Sequence, residues 1–166
     1  MSLDATVGGA NTNAYIDRTN ADAYFADHVF DDAWNNAVNA DKESALIMAT
    51  ARIDFYDYIG QKNTTTQALK WPRVNTDLSL IRSYPTSIHP PPIQKATCEM
   101  ALYILQVGQI QGGGTPGAVK NLKIGSSVQV EYATGIPVID STTDYSKLPA
   151  NAARFLTGLR IPTAIA

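Results

Sequence analysis

Lys42-Glu43-Ser44-Ala45-Leu46-Ile47-Met48-Ala49-Thr50-Ala51-Arg52-Ile53-Asp54-Phe55-Tyr56-Asp57-Tyr58-Ile59, closed by Gly60 and followed by Thr66-Gln67-Ala68-Leu69-Lys70-Trp71-Pro72-Arg73, is the stretch that decides the fold class. Leu46, Ala49, Ile53 and Tyr56 recur at spacings of three and four, so they share one helical face. Met48, Phe55 and Ile59 widen that face, which predicts a helix over 42–59 buried on more than one side. Asp41 is the expected N-cap, with Ser44 a second candidate. Gly60 is the expected left-handed residue that ends the helix. Beyond it, Pro72 drives Trp71 into an extended conformation. A large ring followed by proline makes a stiff corner suited to packing across helices, so Trp71 reads as core.

Working outward toward the N-terminus, residues 1–18 are small and polar, show no periodicity and read as an arm, with Tyr15-Ile16 a short extended piece. Thr19 or Asn20 can cap a helix over 21–28 that places Ala21, Tyr24 and Phe25 on one face and Asp22 in the favourable first turn. Asp31 to Ala37 reads as a short helical turn in which Trp34 anchors a loop to the core.

Toward the C-terminus, residues 74–92 carry Pro85, Pro90, Pro91 and Pro92 without periodicity. A connection this long often serves binding or assembly, and 88–92 should be extended, polyproline-like. Pro91 or Pro92 can start the next helix, 93–107. That helix has one stripe of Ile93, Ala96/Thr97, Met100/Ala101, Ile104 and Val107, and a second of Cys98, Leu102 and Leu105. Lys95 and Glu99 lie on the polar remainder. Gly108 is the expected stop, and 112–117 a glycine linker. From Val119 the period changes to two. Leu122, Ile124, Val128, Val130 and Tyr132 alternate with Lys123, Gln129 and Glu131, which predicts a β-hairpin over 119–132. A lone hairpin is marginal in water and must lie on the helices or on another chain. Pro149 can start a last helix, 149–160, with Ala152, Phe155, Leu156 and Leu159 on one face. The apolar tail 161–166, with Ile161 and Ile165, should dock on its own domain or on a neighbour.

These readings predict one mainly α domain over 1–166. It is a small bundle of about four helices, a helical core over 19–108, with a β-hairpin, long loops and extended termini. Trp34, Tyr56, Trp71 and Pro72 are its expected structural anchors.

With 166 residues, 45% of them hydrophobic and 17% charged, the chain can bury a substantial core. No apolar run approaches the ~18 residues of a membrane span. No basic segment followed by an apolar one opens the chain, so no signal peptide is expected. The single cysteine, Cys98, reads as a small core residue in a reducing compartment. Charge is uneven. Residues 1–59 carry ten acids against three bases, and 60–166 carry ten bases against five acids. Such a split suits contact between copies of one chain or a basic face for nucleic acid, although no dense Lys/Arg cluster is visible.

Reactive constellations are missing from the sequence. His28 and His89 have no Cys or Glu at metal-ligand spacing. Gly112-Gly113-Gly114 lacks the Lys-Ser/Thr of a phosphate loop. Asp31-Asp32 has no calcium-loop spacing. Thr64-Thr65-Thr66 reads as a turn, and the bases do not interleave with aromatics as in single-strand binders. No cofactor, metal or enzymatic reaction is expected.

The order of pieces nevertheless resembles a known family. Thr19-Asn20-Ala21-Asp22-Ala23-Tyr24-Phe25, Ala33-Trp34, Lys42 to Thr50, Gln67 to Arg73, Ile93 to Ala101 and the hairpin Lys123-Ile124-Gly125 to Val130-Glu131-Tyr132 follow one another as in tailed-bacteriophage proteins labelled DnaT-like single-stranded-DNA-binding proteins. The resemblance covers roughly residues 12–160, and Leu69-Lys70-Trp71-Pro72-Arg73 is its most specific signature. The longer 74–92 loop and the 112–117 linker depart from the pattern. Members look similar in role to head-to-tail adaptors. The resemblance therefore implies a structural virion protein of the neck, assembled in the host cytoplasm. It would form a homo-oligomeric ring beneath the portal, twelvefold by analogy. Its partners would be itself, the portal protein, a downstream neck or tail protein, and DNA passing through the lumen without sequence specificity. No membrane is implied. Leu122, Ile124, Val128, Val130, Tyr132, Ile161 and Ile165 are the candidate interface residues. The alternative implied by the family label is a single-stranded-DNA-binding module.

Overall fold

Two helices form the spine, α3 (Asn39–Asp54) and α4 (Pro91–Gly112), packed along one another in a computed structural model that describes residues 2–29, 31–74, 84–112, 119–123, 129–132 and 148–160. α1 (Arg18–Phe25) packs on both, while α2 (Asp32–Asn35) and α5 (Ala150–Phe155) pack on α4. The chain is mainly helical, with two small two-stranded antiparallel sheets. Leu46, Ala49 and Ile53 of α3 meet Ile93, Ala96, Met100 and Ala101 of α4 in a core closed by Phe25, Trp34 and Leu156. Removing each large apolar side chain from water contributes roughly 1.5–3 kcal/mol, which is why the three-and-four spacing was a sound guide here.

The boundaries of α3 differ from the expected 42–59. It starts at Asn39, with Val38 in the N-cap position making no side-chain cap bond, so neither Asp41 nor Ser44 caps it. It ends at Asp54, five residues before the expected stop. The Asp54 carboxylate is held from outside the helix by the Lys70 backbone N–H at 2.8 Å and by the Tyr15 hydroxyl. The chain then leaves the helical path, burying Tyr58 and turning Phe55 outward. Phe55 and Met48 are therefore exposed rather than part of a wider buried face, and Tyr56 is half-buried against the rim of the core. Gly60, at φ +84°, does not end α3 but serves the turn into β1 (Gln61–Lys62). β1 pairs antiparallel with β2 (Arg73–Val74), matching Gln61 to Val74 and Lys62 to Arg73.

α1 begins three residues earlier than expected. Asp17, rather than Thr19 or Asn20, is its N-cap and accepts from the Asn20 N–H at 2.9 Å. The helix stops at Phe25, short of His28. The 1–18 segment is not a free arm. Thr12, Ala14, Tyr15 and Ile16 are buried, and the Asn13 and Ala14 N–H groups donate to the Asp4 carbonyl at 2.9 and 3.0 Å. A Cβ on Gly9 would come within 2.7 Å of Thr12 Oγ1, so this closed loop needs glycine there. Tyr15 N–H then donates to Thr50 Oγ1 at 3.2 Å, fastening the segment to α3. Aperiodic burial of this kind leaves no amphipathic signal in a sequence.

α4 takes Pro91 and Pro92 into its first turn, so the extended run ends at Pro90, whose carbonyl accepts from Ile93 and Gln94. It continues through Gly108 to Gly112 instead of stopping at Gly108. Glu99, expected on the polar face, is only 7% exposed. The predicted hairpin forms as β3 (Val119–Lys123) and β4 (Gln129–Tyr132). It pairs Leu122 with Val130 and Lys123 with Gln129, with an irregular step between Val119 and Asn121. Ile124, Val128, Ile161 and Ile165, the 113–117 part of the linker and the 75–83 part of the long loop lie outside the described residues. α5 is shorter than the expected 149–160, with Pro149 as its N-cap; Ala152, Leu156 and Leu159 are buried and Phe155 half-buried. Beyond it, Arg160 bridges in antiparallel fashion to Tyr58.

Candidate functional site: the corner after α3

A helix that ends leaves carbonyl groups without intrahelical partners and a partial negative charge. The Leu69-Lys70-Trp71-Pro72-Arg73 segment answers both. Lys70 Nζ donates to the carbonyls of Phe55 and Tyr56 at 3.3 and 2.9 Å and pairs with Asp57 Oδ1 at 3.1 Å. The Arg73 guanidinium donates to the Ile59 carbonyl at 2.9 Å, to Tyr58 at 3.0 Å, to Lys70 at 3.2 Å and to Gly60. A planar fork suits this fan of carbonyls in a way that a lysine would not. Burial holds the Arg73 guanidinium below its ordinary pKa, although Tyr15, Asp54, Tyr58 and Asp57 oppose this. Between the two cations, Trp71 is 4% exposed and Pro72 fully buried, joined by a cis peptide bond. The indole packs edge-on to Tyr58, with centroids 5.6 Å apart, and to Tyr84 at 6.5 Å. Gln67 completes the corner, donating to the carbonyls of Leu69 and Pro72 at 2.8 and 3.0 Å and accepting from Thr64 N–H at 2.9 Å. The most specific signature of the sequence is thus a clasp over a helix end.

Beneath the clasp, the Tyr15 hydroxyl donates to Asp54, and the Tyr58 hydroxyl to the Ile53 carbonyl at 2.7 Å. Burial, reinforced by the Asp54 charge, pushes both phenols above their usual range. The His89 ring meets Tyr15 edge-on at 5.2 Å, and its Nδ1 lies 2.9 Å from the Tyr15 carbonyl. The Trp71 Nε1 and His89 Nε2 atoms are buried without a hydrogen-bond partner among the described residues.

Outside the clasp the surface has a different character. Phe55 is 83% exposed, its ring 6.2 Å from that of Tyr56. The Arg160 guanidinium lies 3.7 Å over the Tyr56 ring, within cation–π range. Residues 52–74 together with Arg160 carry five bases, Arg52, Lys62, Lys70, Arg73 and Arg160, against Asp54 and Asp57. One base–aromatic contact arises only in the fold: the C-terminal segment returns at Arg160 and sets its guanidinium over the Tyr56 ring.

Two further polar clusters tie helices together. Asp22 accepts from Trp34 Nε1 at 2.9 Å and pairs with Lys42 at 3.1 Å and Arg18 at 2.9 Å. Glu99 accepts from the Tyr24 hydroxyl at 2.8 Å and lies 3.6 Å from His28 Nε2. Trp34 is 1% exposed, as an anchor should be. Cys98 is fully buried, and burial pushes its thiol well above the usual range. Among the described residues no group of His, Cys, Asp or Glu could hold a metal ion, and no helix is long and apolar enough to cross a membrane.

Compared with known proteins, residues 1–164 match the family described as "Putative DnaT-like ssDNA binding protein". No curated protein and no solved structure matches the chain.

Proposed function

This chain belongs to the DnaT-like ssDNA binding protein family, and we propose that it serves as a structural subunit of a phage neck. In this reading it is a head-to-tail adaptor whose copies form a ring beneath the portal, joining capsid to tail while DNA passes through the lumen. It performs no reaction. The observation that carries the reading is the clasp. Lys70 and Arg73, the charged residues of the most specific signature, fasten one segment of the chain to another. The order of segments and the uneven charge support assembly from like copies. Mass measurement of the purified protein with and without portal tests it. A ring, or a complex with portal, is expected; a strict monomer that never binds portal sinks the reading.

A second reading, a single-stranded-DNA-binding module, is the one the family description names, and that description says nothing of portals or rings. The corner at Phe55 favours it, because an exposed ring among cations is what a single strand needs. Titration with a labelled single strand at several salt concentrations separates the two. Tight, salt-dependent binding by an isolated subunit supports the module, and an adaptor subunit should bind free strands weakly.

A further inference from the structure

We propose that the Phe55 ring is a stacking platform for an unpaired nucleic-acid base, with Arg160 and Arg52 supplying charge for the flanking phosphates. The inference rests on the second reading above, the single-stranded-DNA-binding module.

Three observations converge on it. Phe55 is the most exposed large apolar side chain among the described residues, in a position where a helix end holds its backbone fixed. Its surroundings are cationic. Arg52 stands three positions before it on α3, Lys70 Nζ reaches its carbonyl at 3.3 Å, and Arg160 lies over the adjoining Tyr56 ring, in a chain whose net charge is −2. The two acids nearby are both engaged: Asp57 pairs with Lys70, and the Asp54 carboxylate accepts from the buried Tyr15 hydroxyl and the Lys70 backbone N–H. Finally, Arg160 is held over Tyr56 beside Phe55. A purely apolar partner would be ill served by this fringe of cations, whereas a strand needs both a π-face and positive charge. Stacking on Phe55 requires a base free of its complement, so the site should discriminate against duplex.

The test is fluorescence anisotropy of a labelled oligothymidylate with the full chain, alongside Phe55→Ala, Phe55→Tyr and Arg52→Gln. Because Phe55 is exposed, its replacement should leave the fold intact, checked by thermal unfolding. The wild-type chain should bind the single strand and bind a duplex of equal length more weakly. Phe55→Ala should weaken single-strand binding about ten-fold, Phe55→Tyr should retain it, and Arg52→Gln should flatten the salt dependence. If the wild type binds and Phe55→Ala binds equally well, the site is wrong while DNA binding stands. Equal affinity for duplex would overturn stacking. If Phe55→Ala leaves DNA binding alone and instead dissolves an oligomer, the ring belongs to an interface between copies. A wild type that binds neither form removes the single-strand-binding reading and the site with it, and leaves the adaptor reading standing.

Discussion

The hydroxyl of Tyr24 donates to Glu99 Oε1 across 2.8 Å, joining α1 to α4 at a point where the carboxylate is almost entirely removed from water. Burial and the Glu99 carboxylate together push the Tyr24 phenol above its usual range, so it remains a donor throughout the physiological span. Tyr24→Phe leaves the buried carboxylate short of a partner. We expect a loss of about 1–3 kcal/mol in urea unfolding, with the Glu99→Gln background reducing that loss.

Arg73→Ala removes the donors that satisfy the carbonyls following α3. A loss of about 3 kcal/mol is expected. Arg73→Lys should recover less than half of it, because one ammonium cannot address the same fan. Hydrogen exchange should show the loss concentrated in residues 55–62 and 70–74.

Acidification acts through His89. Burial lowers its pKa from the ordinary 6.5, and the Tyr15 carbonyl opposes only in part. The unfolded chain therefore takes up this proton at higher pH than the native one. Stability from this residue is fully present above about pH 6.5 and falls as pH drops through that value, until the native form also protonates. His89→Asn should flatten the difference in unfolding midpoint between pH 7 and pH 5. An unchanged pH profile would show that the native protein accommodates the imidazolium.

Asp22 titrates in the opposite sense at lower pH. Burial works against its ionised form, but hydrogen bonds from Lys42 and Trp34, with the charges of Lys42 and Arg18, hold its pKa below the ordinary 3.8. Its contribution is present above that value and lost as pH falls through the depressed one. Asp22→Asn should cost about 1–2 kcal/mol at pH 7 and much less near pH 2, read from paired chemical-denaturation curves.

Legibility followed the kind of force at work. Leu46, Ala49 and Ile53, and likewise Ile93, Ala96 and Met100, announce their helices because burial on a helix repeats at a fixed spacing. The period-two alternation from Leu122 to Tyr132 likewise marked the hairpin, which forms as β3 and β4. Tyr15 is equally buried, yet it sits in a loop with no repeat and read as part of an arm. Gly60 looked like a helix stop because it has positive φ, but tertiary bonds to Asp54 ended α3 first. Glu99 looked solvated because nothing near it in sequence shows that Tyr24, seventy-five positions away, would face it. The corner at Phe55 was missed for a related reason: Arg160 reaches Tyr56 only once α5 has docked. A Trp-Pro-Arg corner flanked by lysine could be recognised in other sequences as a candidate clasp, where it follows an amphipathic helix by about ten to twenty residues.

The docking of α5 against α4 also bears on how such chains can diverge. Gly112 ends α4 and Leu148 leads into α5, and these two helices pack together with the β3–β4 hairpin between them in sequence. Doubling the length of an excursion of this sort costs only about 0.6 kcal/mol in closure entropy. A change of length between α4 and α5 should therefore cost little so long as the two helices stay packed.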